Sequence, residues 1–219
     1  MMKLLFAIVT ALALAWSFQS CSSSADVAAS FCDTGCIRDT IKFSKDEHPL
    51  KPFVKIGPAN CVADSLVWGN NDMGSRKLAM ASLFGSSMKL SKDAIDCYIR
   101  DTSYAWVVFN NCETGRGFSA KIPYNTRESI STKTSVLTRF DKKFDIDKSL
   151  VAYSDRGNLF VEDPLTGKQA MMTFGERIEI DYDKIHEFID SVKVTPTSIY
   201  AKVKIKGQWA ERRATIELK

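Results

Sequence analysis

Residues 150–168 read LVAYSDRGNLFVEDPLTGK. Two short apolar runs, Leu150–Tyr153 and Leu159–Val161, flank Ser154-Asp155-Arg156-Gly157-Asn158. The second run closes on Asp163-Pro164-Leu165-Thr166-Gly167-Lys168. Gly, Asn and Asp are the residues that tolerate the backbone conformations of tight turns. Strand, turn, strand and turn in so short a stretch leave no room for the crossover that parallel pairing needs, so the segment is an antiparallel meander.

The same grammar extends in both directions. Phe53-Val54-Lys55-Ile56 precedes Gly57-Pro58, and 61–68 (CVADSLVW) runs into the turn-rich Gly69-Asn70-Asn71-Asp72-Met73-Gly74. Asp96–Arg100 and Tyr104–Phe109 straddle Asp101-Thr102-Ser103. The run YAWVVF is apolar on both faces, which predicts a central strand. Glu113-Thr114-Gly115-Arg116 turns into Gly117–Ile122, Gln169–Phe174 follows the opening stretch, and 198–205 and 209–218 surround Lys206-Gly207-Gln208. Val203 and Ile205 alternate with Lys202, Lys204 and Lys206, and Ala214, Ile216 and Leu218 repeat the inward set, as in half-solvated strands. Trp68, Trp106, Tyr153, Phe160, Phe174 and Trp209 are the expected bulky core. Ile185, Phe188, Ile189 and Val192 fall on one helical face, with Asp181 or Asp183 to cap it and Thr195-Pro196 beyond its end. Ile178–Tyr182 alternates like an edge strand, and 77–84 (KLAMASLF) fits helix and strand equally. The expectation is an all-β fold, antiparallel meanders forming a sandwich or barrel with one short helix, in a single β-rich domain over residues 31–219.

The turn glycines Gly74, Gly115, Gly167 and Gly207 lie 41, 52 and 40 residues apart, and VVFNNCETGR echoes LFVEDPLTGK. On these turns the chain resembles β-propeller blades, which implies a four-bladed propeller-like arrangement as the alternative fold.

The amino terminus carries a different signal. Met1-Met2-Lys3 precedes thirteen uncharged residues, Leu4–Trp16. At 1.5 Å per residue this run reaches roughly 20 Å as a helix, short of the roughly 30 Å core of a bilayer. A charged start, a short apolar core and then small polar residues fit an export signal. Phe18-Gln19-Ser20-Cys21 resembles the lipobox of bacterial lipoproteins. That resemblance implies a diacylglycerol on Cys21, cleavage before it by signal peptidase II, residues 1–20 as signal peptide, and 21–30 as a flexible tether. Ser22 after the cysteine implies sorting to the outer membrane. Cleavage by signal peptidase I near Ala13-Leu14-Ala15 or Ala28-Ala29-Ser30 is the alternative.

Export makes disulfides the expected use of Cys32, Cys36, Cys61, Cys97 and Cys112. Five is odd, so at least one thiol stays free or pairs outside the chain. The expected pairs are Cys97 with Cys112, and Cys61 with Cys32 or Cys36. Cys32-x-x-x-Cys36 is not a CxxC redox site, and a zinc site there would need His48 as a third ligand.

No catalytic set assembles from spacing. Asp33-Thr34-Gly35 matches the aspartic-protease tripeptide but has no second copy, since Glu113-Thr114-Gly115 carries the wrong acid. His48 lies in a polar stretch and His186 beside Ile185, with no G-x-S-x-G in the chain. Asp141, Asp145, Asp147 and Asp155 are oxygen-rich but lack EF-hand spacing. Gly115-Arg116-Gly117 lacks the context of a phosphate loop. Arg212-Arg213 and the lysines of 202–206 read as a solvated face, or as partners of Glu179 and Asp181 across strands. Lys+Arg number 30 against 26 Asp+Glu, a net charge of +4, too mild for a nucleic-acid partner. The sequence-level expectation is therefore a lipid-anchored cell-envelope protein, in the outer membrane facing periplasm or cell surface. It has a binding or scaffolding role, no cofactor, the membrane as one partner and an envelope protein or glycan as another. An exported hydrolase with carboxylate or metal-assisted chemistry is the alternative.

Overall fold

The structure, a computed structural model, describes residues 31–32 and 36–219. Expectations for the signal, Cys21, the tether and Asp33-Thr34-Gly35 lie outside these residues. The described chain is all-β, with sheets antiparallel apart from one parallel strand pair, and short helices. β1 (Ile41–Ser44), β2 (Phe53–Ala59), β3 (Val62–Asn70) and β4 (Gly74–Ala79) form the first sheet as a meander, followed by α1 (Met80–Phe84). The second sheet has seven strands: β5 (Ile95–Arg100), β6 (Tyr104–Asn110), β7 (Gly117–Pro123), β8 (Ser131–Leu137), β10 (Val151–Asp155), β11 (Asn158–Glu162) and β12 (Gln169–Thr173). The third sheet joins β9 (Phe144–Ile146), β13 (Ile189–Thr195), β14 (Ser198–Ile205) and β15 (Gln208–Thr215). Groups of four, seven and four strands are not four equal blades, so the propeller-like alternative is excluded.

The seven-stranded sheet organises the packing. On one of its faces Val107, Phe109, Phe118 and Ile122 pack with Val54, Ile56, Leu66 and Trp68 of the first sheet. Farther along the same face Leu137, Ala152, Leu159 and Val161 pack with Val192, Val194, Ile199 and Val203 of the third. The sheet's other face gathers Trp106, Val108, Val136, Val151 and Tyr153 into a third cluster. Being buried on both sides accounts for the continuous apolar run YAWVVF of β6.

The sheet curls around that third cluster. Lys121 on β7 and Glu162 on β11 are three strands apart, which on a flat sheet is roughly 14 Å; their charged groups meet at 3.0 Å. Two further contacts join β5 to the loops around β9: Arg139 grips Asp96 in two-pronged fashion at 2.7 and 2.8 Å, and the Tyr98 hydroxyl donates to Lys148 O at 2.8 Å. The bend falls at β8, which shares only the pairs Val136–Tyr153 and Leu137–Ala152 with β10 and meets β7 through a bulge.

Two resembling turns of the sequence are one structure used twice. In each, the first residue (Asn111 or Asp163) accepts at its carbonyl from the glycine N–H (Gly115 or Gly167, both 2.8 Å). Its N–H donates to Arg116 O or Lys168 O, both at 2.9 Å. Gly115 and Gly167 sit at φ +75° and +79°, which accounts for glycine at the fifth turn position.

The 185–192 helix is a correction. Tyr182–Glu187 is a short 3-10 helix whose Asp181 cap accepts from Asp183 N–H, and β13 starts at Ile189. A bulge between Ile189 and Ser191 turns Ile189 and Val192 to the same side. Two inward residues three apart imitate a helical face, which is why the periodicity misled. Residues 178–181 form no strand, and 77–84 divides between β4 and α1. Trp209 is 44% exposed, not core, because it pairs with Lys204 on the solvent side of β15.

A β-carbon on Gly117 would stand 2.1 Å from Val136 O across the bulge. Gly117→Ala is expected to cost about 1–3 kcal/mol, read as a lowered urea midpoint; an unchanged midpoint would contradict this close approach.

Candidate binding surface

Cys32 bonds Cys112 and Cys36 bonds Cys61. Cys61 thus takes one of its two expected partners, but the Cys97–Cys112 pair is a correction. Cys97 lies opposite Val107 in the β5–β6 ladder and packs against the first core. Cys112 lies five residues past that register point, roughly 17 Å along an extended chain, and cannot be reached. Cys97 is the free cysteine among the described residues, and burial pushes its thiol well above the usual range. Backbone hydrogen bonds flank both bridges: Phe31 N–H to Cys112 O at 2.9 Å and Ile37 N–H to Cys61 O at 3.4 Å. Asn60 and Cys61 both have positive φ (51° and 67°), the paired geometry of a tight hairpin turn, so Cys61 is held at a hairpin tip.

His186 meets buried Asp141 through Nε2 at 2.9 Å, and its Nδ1 faces Ile189 O at 3.4 Å. Its two ring nitrogens thus face a carboxylate and a backbone carbonyl, and neither contact is with a hydroxyl or thiol nucleophile. The contact joins the 3-10 helix to the β8–β9 loop. His48 Nδ1 accepts from Leu50 N–H at 3.2 Å and shapes the β1–β2 turn.

The remaining aspartates are dispersed among separate partners. Asp145 pairs with Lys193 at 2.8 Å, and Asp155 lies 3.7 Å from Arg156. Asp147 accepts from the Ser149 hydroxyl and N–H, which hold its carboxyl below the usual range. Among the described residues no three His, Cys, Asp or Glu side chains converge as a metal site. The lysine row pairs differently from expectation: Lys202 meets Asp190 at 3.2 Å and Lys206 meets Glu176 at 2.8 Å, whereas Glu179 neighbours Arg177. Arg212 donates to Phe174 O at 3.0 Å. Arg116 of the Gly115-Arg116-Gly117 stretch donates to Thr134 O and pairs with Asp183.

Two features escaped the sequence reading. The first is the interior of the curl. Lys121 lies over the rings of Tyr104 (4.4 Å) and Trp106 (5.5 Å), and Gln169 completes the Glu162 carboxylate at 2.9 Å. Trp106 Nε1 and Ser119 Oγ are buried there without a hydrogen-bond partner. The second is a groove of about 340 Å³ between β4 and the β7–β8 connection. Trp68 and Pro123 form its floor, joined by a hydrogen bond from Trp68 Nε1 to Pro123 O at 3.1 Å, and Leu78, Ile130 and Arg76 form its sides. Neither feature leaves a periodic trace, since each depends on which strands end beside one another.

Comparison with protein-family models, curated proteins and solved structures returned no match for this chain.

Non-reducing peptide mapping is expected to return Cys32–Cys112 and Cys36–Cys61, with the half-buried Cys97 alkylated faster after unfolding than in the native chain; equal rates would contradict its packing against the first core. His186→Ala is expected to destabilise by about 1–3 kcal/mol, because it strips a partner from a buried carboxylate. An unchanged urea midpoint would show the contact to be incidental.

Proposed function

We propose that this chain is an exported envelope protein, held at a membrane by lipid on Cys21, that serves as a binding or scaffolding module. The observation that carries the reading is the double clasp at residues 31–36. Cys36 is bonded to the β2–β3 turn of the first sheet, and Cys32 to the β6–β7 turn of the second. Taken separately, closures of 25 and 80 residues stabilise by about 3.5 and 4.5 kcal/mol in the chain-entropy model. Disulfides of this kind suit an oxidising compartment.

The clasp also suits a tether. A pull on the chain upstream of residue 31 passes through covalent bonds into both sheets and does not peel β1 away from β2. One acyl chain binds a bilayer marginally, whereas a diacylglycerol with a further acyl group holds firmly. The dispersed carboxylates, and a His186 set between Asp141 and Ile189 O, favour binding over hydrolysis.

Cys21→Ala is expected to move the protein from the membrane pellet to the soluble fraction with its disulfides intact. Continued sedimentation with membranes would sink the anchor reading.

A further inference from the structure

The first sheet ends on an uncovered edge. β4 pairs with β3 alone, and most of its residues are exposed. Its register opposite β3 matches Leu78 with Leu66 and Arg76 with Trp68. Leu66 and Trp68 are core residues, 1% and 3% exposed. Leu78 therefore points to the core side of the sheet, yet it is 38% exposed. The inward face of β4 runs past the point where the seven-stranded sheet covers it, and the groove over Trp68, Pro123 and Ile130 opens there.

We propose that this edge accepts an extended acidic peptide segment of a partner protein as a fifth strand of the first sheet. Strand addition satisfies the free N–H and C=O groups of an edge, while alternate side chains fill the pocket beside it. An apolar residue opposite Leu78 would settle over Ile130 and close the uncovered core. Charge selects the partner. Arg76 and Lys77 point to opposite faces of β4, and among the described residues neither forms an ion pair with a carboxylate within 4.0 Å. Glu128 on the far wall accepts from Asn125 at 3.1 Å instead. A second copy of this chain is the wrong occupant, because β4 (GSRKLA) carries no acidic residue to meet Arg76 and Lys77. The fitting segment has an apolar residue followed by two acidic ones, matching Leu78, Lys77 and Arg76 in turn.

The inference rests on the binding role proposed above but not on the lipid, so the two fail separately: peptide binding by the full chain is measured whether or not Cys21 carries an anchor. The probe is a ten-residue peptide with a Val-Glu-Glu centre, compared with its Val-Lys-Lys counterpart. Amide hydrogen exchange of the full chain is expected to slow in β4 with the acidic peptide and not with the basic one. The Arg76→Glu, Lys77→Glu double variant is expected to weaken acidic-peptide binding by roughly tenfold or more and to reverse the preference toward the basic peptide. No protection of β4 by the acidic peptide, or equal binding of both peptides, or a double variant that keeps the original preference, overturns the proposal.

Discussion

A seven-stranded sheet that is apolar on both faces must be covered on both, and this requirement shapes the molecule. One face is too long for a single partner sheet, so two four-stranded sheets share it, one over β5–β7 and the other over β8–β12. Among the described residues the opposite face has no partner sheet and is buried by curvature. The curl brings β7 to β11, and the Lys121–Glu162 pair closes it where Glu162 is only 3% exposed. A carboxylate so placed is tolerable only because Lys121 and Gln169 complete it. The thin β8–β10 ladder is the place where the sheet bends.

What could be read from the sequence follows from how local the causes are. The meander of 150–168, the both-faced burial of 104–109 and the twin turns at Gly115 and Gly167 depend on neighbours in the chain, and each was legible. Three features were not. The bulge at Ile189 made a strand look helical. The register of β15 turned Trp209 outward although its size suggested core. The partner of Cys112 is Cys32, 80 residues away, and spacing favoured the nearer Cys97. Closing the curl through Lys121 and Glu162 requires a sheet order that skips β9, which no local pattern encodes.

The candidate surface was the least legible part for the same reason. Arg76, Lys77 and Leu78 are unremarkable in a sequence; they acquire meaning because β4 is an edge and because the β7–β8 connection stops short of covering it. The conspicuous residues proved structural. His186 fastens a helix to a loop, Asp147 orders Ser149, and Lys202 of β14 meets Asp190. Chemistry that looked available in one dimension is spent on holding the fold in three. The functional reading therefore rests on attachment and on an open edge.

The most direct test of the account is the mass of the amino-terminal peptide from the protein purified out of its native cells. The account predicts a peptide that begins at Cys21 and carries a thioether-linked diacylglycerol. A peptide that retains Met1, or one that begins elsewhere without fatty acid, would contradict it.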